Sequence, residues 1–484
     1  MFPQMKRALP ALFLLTIAPQ PPVGGSPAII DDLVILHGRV MDPASGLDAI
    51  RSVGITRGTI RIVSRGPLQG RDTLDARGLV VAPGFIDLHQ HAQSDQGYRV
   101  EVLDGTTTAL ELEGGTDDVD AWYSARAGKS LVNHGVSVGH EWLRMRAMGD
   151  TSKTEASGNA RSKAASAAEL AAILAGARHG LDRGAVAVGT LIEFTPGATP
   201  WEIIELFRVA AEYHASVHVH LRALPEPYYY LEMEEVIGAS AATGADAHIV
   251  HIQSSLGEDT PRGLDLIRGA RARGLDITTE IYPYTASMAP IESAEHDKWE
   301  SYSDAKFGRF EWPATGERLT RESFARYHKI GGFLVEYNNT ESTVLDAVTD
   351  PLPMIASDGI LHDSIGHPRV AGTFARLLGH YARDVKALSL MEALRKITLE
   401  PARRLERRVP GMRRKGRLEA GADADIVLFD PTRIIDRATY RQPALPSAGI
   451  RHVLVNGVVV VRNGAIQPSV APGRAVRAPM RGPS

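Results

Sequence analysis

The stretch Pro83-Gly84-Phe85-Ile86-Asp87-Leu88-His89-Gln90-His91 is an apolar run that ends in two histidines one residue apart. A β-strand sends alternate side chains to opposite faces, so His89 and His91 would leave the strand's end on one face. Two imidazoles placed this way could grip one metal ion, since imidazole suits Zn²⁺ and its neighbours. Short exposed strands also carry His-x-His by chance. The pair gains its meaning from the ligand types that follow it along the chain.

Those types stand at the ends of further strand-like segments. Thr106-Thr107-Thr108-Ala109-Leu110 runs into Glu111 and Glu113, then Gly114-Gly115. Val217-His218-Val219-His220 ends in His220, His248-Ile249-Val250-His251 in His251, and Met354-Ile355-Ala356-Ser357 runs into Asp358. Between and around these segments lie helix-like ones. Ala164 to Ala177 is rich in Ala and Leu, and Pro200 to Tyr213 opens on the capping pair Thr199-Pro200. Leu231 to Thr243 and Pro261 to Arg273 read the same way. The apolar strands Ser216 to Leu221, Ala247 to Ile252, Asp276 to Tyr282 and Met354 to Ala356 alternate with them. Strands alternating with helices imply parallel βα units. Their number and total length favour an α/β fold of the (β/α)8 TIM-like barrel type over an open sheet.

In such a barrel the functional groups sit at the C-terminal ends of the strands. A single histidine there is more often structural than a ligand. Five strand ends that each carry a ligand type are hard to explain by chance, and they fit a one- or two-metal hydrolytic centre. His218 and His248 are expected to be packed or to lie behind the ligands. Glu111 and Glu113 both alternate with leucines, and a buried carboxylate is costly unless it is paired or on a metal. Glu113 is nearer the strand end and is the preferred ligand. Glu111 is the alternative, or a deeper partner.

The ends of the chain have a different texture. From Ile30 to Val81 short β-type runs are punctuated by glycine, and the same pattern returns from Asp425 to Val461, with Asn456-Gly457 as a hairpin signal. We expect one small β-sandwich domain built from both termini. The expected boundaries are a signal peptide at 1–26, the first β part at 27–82, the barrel at 83–407, the second β part at 408–470 and a tail at 471–484. Residues of about 286–340 mix polar and aromatic types without periodicity and read as an irregular insertion that could cover the active site.

The signal is read from Lys6 and Arg7, the apolar run Ala8 to Ala18, and the small residues through Ser26. The run is too short for a comfortable membrane span, so export to the periplasm or medium, without stable insertion after cleavage, is the expectation. The chain has 484 residues, no cysteine and a formal net charge of −3. Hydrophobic content of 44% and charged content of 23% suit a sizeable core. Disulfides and thiolate chemistry are excluded, and Lys and Arg form no long block of the kind a nucleic-acid interface requires. The short basic cluster from Arg403 to Lys415 is expected to be a solvated helix end and loop.

The chain resembles the amidohydrolase superfamily, and within it the D-aminoacylase (N-acyl-D-amino-acid deacylase) group. The likeness rests on Pro83 to His91, Gly105-Thr106-Thr107-Thr108, His220-Leu221-Arg222, His251, Tyr282-Pro283-Tyr284, Ser357-Asp358-Gly359, and His367-Pro368-Arg369 with Gly372-Thr373-Phe374. Gly416 to Asp425 resembles the superfamily's return to its β domain. The resemblance implies Zn²⁺, as one or two ions, with other divalent transition metals possible. His89, His91 and Asp358 would hold the first and His220 and His251 the second. Asp358 would take a proton from metal-activated water and return it to the leaving amine. Tyr284 and Arg369 would bind the substrate's carboxylate, with Arg222 and His140 as further pocket residues. D-aminoacylases commonly bridge their metals with a cysteine. This chain has none, so Glu113 or Glu111 would take that place. The implied reaction is hydrolysis of the amide of a small N-acyl-D-amino acid. D-glutamate deacylase-like, dipeptidase and cyclic-amide hydrolase activities are the alternatives, and a non-catalytic binding protein is the rival of another class.

Overall fold

A computed structural model describes residues 30–224 and 228–482, together with Met1 and Gln4. Apart from those two residues, the segment read as a signal peptide lies outside the described residues.

Eight parallel strands form the barrel in chain order: Phe85–Asp87, Thr106–Thr116, Asn133–Gly139, Val188–Leu191, Ser216–His220, Asp246–Ile249, Ile277–Ile281 and Met354–Ile355. The expected helices are present as Ala167–Asp182, Pro200–Glu212, Tyr230–Thr243 and Thr260–Arg271. Ser166 and Glu169 make a reciprocal capping box at the start of the first, and Thr199 caps the second ahead of its first-turn proline. Two barrel strands carry no strong apolar signal. Asn133–Gly139 has the polar sequence NHGVSVG, and Val188–Leu191 has only four residues.

The barrel closes without a regular ladder. Its last strand has two residues, too few to pair along the first. The Asp358 amide instead donates to the His89 carbonyl at 2.7 Å, and the His91 amide donates to the Gly359 carbonyl at 2.9 Å. Asp87 extends the seam with its side chain, where Oδ1 accepts from the amides of His89 (3.1 Å) and Ser357 (3.0 Å). Burial pushes Asp87 up to about 6, against the hydrogen bonds from Ser357 and His89. The seam therefore brings His89, His91 and Asp358 together from opposite ends of the barrel sequence.

Strands from both termini build one nine-stranded sheet domain. Ile30–Asp42 forks it. Its first half pairs with Gln69–Asp75 and its second half with Val80–Pro83, which allows the two flaps to enclose a core of Leu33, Ile35, Val53, Ile60, Ile426 and Leu428.

The structure adds detail to three expectations. In the expected tail, Val476 and Ala478 pack under the barrel against Ile86, Leu110 and Met412, and the Val476 amide donates to the His134 carbonyl at 2.7 Å. The basic cluster is solvated at Arg403, Arg407, Arg413 and Arg414, as expected, but Arg404, Arg408 and Lys415 are buried. Buried Arg404 pairs with the exposed Asp276 at 2.7 Å, and buried Arg408 donates to the carbonyls of Leu181 and Ala185 at the barrel's base. The insertion is a folded unit, a four-stranded sheet of Ser287–Pro290, Phe310–Trp312, Glu317–Arg318 and Phe333–Glu336 over a core containing Phe307, Phe310 and Phe324. Aromatic packing replaces the periodicity that would have made it legible.

Candidate metal centre

Strand alternation turns Glu111 and Glu113 to the same side, and the two carboxylates divide the labour. Glu113 is almost wholly buried and stands between two pairs of histidines. Its Oε2 lies 3.1 Å from His89 Nε2 and 3.2 Å from His91 Nε2, while Oε1 lies 2.9 Å from His220 Nδ1 and 3.1 Å from His251 Nε2. Asp358 Oδ1 faces the first pair at 3.4–3.5 Å. Glu111 stands one step out. Its Oε2 meets His91 Nδ1 at 2.7 Å and its Oε1 accepts from the Gly114 amide at 2.9 Å. The close approach of strands around Glu113 depends on Gly189, where a Cβ would come within 2.0 Å of the Glu113 carbonyl oxygen.

The other imidazoles are oriented by carboxylates that sequence reasoning did not single out. Glu280 Oε1 lies 2.6 Å from His89 Nδ1, and its Oε2 lies 3.1 Å from His248 Nε2. Glu193 Oε2 lies 2.8 Å from His220 Nε2. Glu280 had a signal, since it is a charge inside the apolar strand Ile277–Ile281. Glu193 follows a strand that was not recognised. His218 and His248 are buried behind the ligands, as expected, with ring centroids 4.6 Å apart and the planes tilted by 38°.

The donor set fits a cation. His89 and His91 each direct Nδ1 at a carboxylate, so Nδ1 carries the proton and Nε2 keeps its lone pair. Yet the two Nε2 atoms lie 3.0 Å apart. Two lone pairs at that separation need a positive charge between or beside them. In the free side chains protons supply it: burial alone would lower both histidines, but the surrounding carboxylates outweigh it and hold them well above the ordinary range. A divalent metal answers the same demand, and the ligand atoms of His89, His91 and Asp358, or of His89, Glu113 and His251, all lie within 4.8 Å of one another. His251 and Asp358 adopt positive φ angles of 27° and 49°, uncommon for such residues, and strain of this kind concentrates at functional sites.

The residues expected to touch substrate are held by partners within the protein. Tyr284 is buried, with its hydroxyl toward Asp436 at 3.4 Å. His140 pairs with Glu202 at 2.7 Å, where the buried Glu202 also needs Arg144 to offset its charge. Arg222 forks onto Glu235 at 2.6 and 2.9 Å. Arg369 is only 1% exposed and clamps Asp358, with Nη2 2.8 Å from Oδ2 and Nε 2.5 Å from the backbone carbonyl. Each is engaged by a carboxylate of the protein and none of the four lines the cavity, although Arg369 keeps its buried Nη1 without a partner among the described residues. Burial would raise Asp358, but Arg369 and His89 hold it far below the usual carboxylate range.

A cavity of about 650 Å³ opens over this centre. His91, Glu113, His220, His251 and Asp358 form its floor, and the insertion contributes Met288 and Phe333 to its wall. This is the size and position of a small-molecule site at the top of a barrel.

Residues 72–461 match the model of the amidohydrolase family. The chain belongs to that family. Among curated proteins, this amidohydrolase is 32% identical to the N-acyl-D-glutamate deacylase of Alcaligenes xylosoxydans xylosoxydans, over 92% of the chain and 96% of the relative. It is 30% identical to the D-aminoacylase of the same organism, over 89% and 94%. Among solved structures, the N-acyl-D-glutamate deacylase of Bordetella bronchiseptica, complexed with zinc and a phosphonate inhibitor, superposes with a TM-score of 0.80 at 28% identity, over 93% of this chain and 100% of that one. The protein is thus an enzyme that hydrolyses carbon–nitrogen bonds other than peptide bonds.

Proposed function

We propose that this amidohydrolase cleaves the amide bond of N-acyl-D-amino acids, releasing a carboxylate and a free D-amino acid, and that its metal is zinc. The observation that carries the reading is Glu113, whose two oxygens each face a pair of histidines across the floor of a cavity large enough for such a substrate. The similarity to deacylases over nearly the whole chain supports the substrate class.

Bound zinc would polarise the scissile carbonyl and make water acidic enough to ionise near neutrality. The protein's own part falls to a few groups. His89, His91, Glu113, His220 and His251 present donors toward the floor. Asp358 Oδ1 faces the same floor and would take the proton of the attacking water, then return it to the leaving nitrogen. Arg369 fixes the Asp358 carboxylate through Oδ2 and leaves Oδ1 to act. Glu280, Glu111 and Glu193 hold the imidazoles in place. The insertion adds Met288 and Phe333 to one wall of the cavity.

We also propose that residues 1–26 direct export, to be checked by N-terminal sequencing of the mature protein. The activity is tested by metal analysis of the purified enzyme combined with a panel of N-acetyl-D-amino acids, N-acetyl-L-amino acids and dipeptides. Turnover confined to the D series is expected. Failure on every N-acetyl-D-amino acid would overturn the reading.

A further inference from the structure

We infer that Thr278 and His248 are positioning residues of the metal centre: by a hydrogen-bond chain inside the barrel they fix Glu280, and through it the imidazole of His89. The inference rests on the reading of His89 as a metal ligand above. It extends the support of that ligand to residues that do not line the cavity.

The interior of a (β/α)8 barrel is ordinarily filled by layers of bulky branched aliphatic side chains. One layer here is polar. The strands Ser216–His220, Asp246–Ile249 and Ile277–Ile281 are neighbours, and His218, His248 and Thr278 stand in register across them. All three are buried. Glu280 lies two residues beyond Thr278 on the same face of its strand, one layer nearer the metal centre, and is 1% exposed. Imidazoles, a hydroxyl and a carboxylate in place of aliphatic groups cost stability unless their hydrogen bonds are met.

These hydrogen bonds run in one direction. Glu280 Oε1 meets His89 Nδ1 at 2.6 Å, and Oε2 meets His248 Nε2 at 3.1 Å. A carboxylate only accepts, so both nitrogens carry protons. Burial, helped by the charge of Arg404, outweighs Glu280 and holds His248 below the ordinary histidine range, so the ring is neutral. Its Nδ1 therefore keeps a lone pair, and Thr278 Oγ1 lies 2.7 Å away. The hydroxyl has another acceptor in the Ala247 carbonyl, but at 3.4 Å. The opposite tautomer would set the Nε2 lone pair against the Glu280 anion. Thr278 thus donates to His248, and His248 donates to Glu280. Arg404 Nη1 approaches the Thr278 hydroxyl at 3.5 Å from the barrel's base.

Each oxygen of Glu280 has one side-chain donor, His89 on one side and His248 on the other. Without the His248 N–H, Oε2 would be buried with no partner. The terminal torsion of a glutamate is broad, so the carboxylate would then turn and loosen its hold on His89 Nδ1. Thr278 secures the tautomer on which that donor depends. His218 flanks His248 but has no partner for either ring nitrogen among the described residues, so the chain passes through His248 alone.

The test measures zinc affinity by dye competition, and the visible spectrum of the cobalt-loaded protein, for wild type, Thr278→Val, Thr278→Ser, Glu280→Gln and the double variant Thr278→Val with Glu280→Gln. Valine removes the hydroxyl and serine keeps it. Thr278→Val should weaken zinc severalfold, less than the 10–100-fold typical of losing a partner that touches the ligand itself, and should shift the cobalt bands. Thr278→Ser should restore both. Because Thr278 acts through Glu280, valine should add nothing in the Glu280→Gln background. A merely structural role would lower the Tm of the metal-free protein and leave zinc affinity and the cobalt spectrum unmoved. His248→Phe keeps a packed ring but offers Glu280 no donor, so it makes the same comparison if Thr278→Val does not fold. Wild-type zinc affinity in either variant, or a valine effect that recurs in full beside Glu280→Gln, would overturn the inference and leave the metal reading intact. A wild-type protein that takes up no zinc would overturn both.

Discussion

His89 Nε2 and His91 Nε2 lie 3.0 Å apart while each ring's Nδ1 faces a different carboxylate, Glu280 for His89 and Glu111 for His91. The carboxylates fix the tautomers, and the tautomers turn two lone pairs to one spot. A cation there removes a repulsion that the fold itself imposes. We therefore expect zinc to stabilise the folded chain, since a ligand that binds only the native state raises stability in proportion to the logarithm of its excess over Kd. Calorimetry of chelator-treated and zinc-reconstituted protein should show a higher Tm with zinc. His91→Ala should abolish most of that increment. An equal Tm in both states would refute the assignment of this pair as ligands.

Much of this centre could be read from the chain because strand alternation has a period of two. His89 with His91, and Glu111 with Glu113, share faces by parity alone, and barrel logic places them with His220, His251 and Asp358. The supporting residues were less legible. Glu280 reaches His89 across 191 positions of sequence, and no local pattern announces such a contact. Arg369 and Tyr284 show the reverse difficulty. Their motif is visible, but in the fold Arg369 is committed to Asp358 and Tyr284 faces Asp436, because buried charges and hydroxyls take the nearest partner.

Glu280 should control metal affinity without touching the metal. Burial would raise its pKa, yet His89 and His248 bring it down to about 2, so the carboxylate is ionised at all working pH values. Glu280→Gln keeps the shape but offers His89 Nδ1 an amide in place of an anion. Loss of such a partner typically costs 10–100-fold in affinity. Competition against a zinc-binding dye should show a weakening of that order, and wild-type affinity in the variant would refute the role.

The same residue shapes the acid limb of stability in the metal-free protein. A carboxyl whose folded pKa lies below its ordinary value of 4.5 contributes stability that is present above that value. The contribution falls away as pH drops from about 4.5 toward the folded value of about 2. Chelator-treated wild type should therefore lose stability over this window more steeply than Glu280→Gln. Denaturant titrations at several pH values between these limits measure the slopes, and parallel curves would exclude Glu280 as a contributor.

The C-terminal segment offers a test of what closes the barrel's base. Val476 and Ala478 are buried against Ile86, Leu110 and Met412, and burying one valine contributes about 1.5–3 kcal/mol. The segment also satisfies groups of the barrel: Tyr123 donates its hydroxyl to the Val476 carbonyl at 2.7 Å, and the Ala478 amide donates to the Gly184 carbonyl at 3.0 Å. Removing residues 471–484 would expose the apolar base and leave the Tyr123 hydroxyl without its acceptor, and an unmet buried polar group costs about 1–3 kcal/mol. The metal centre lies at the opposite end of the strands, so the truncation should lower Tm by several degrees while the folded fraction still binds zinc. A truncated enzyme that melts with the full chain would show that residues 471–482 rest on the base without supporting it.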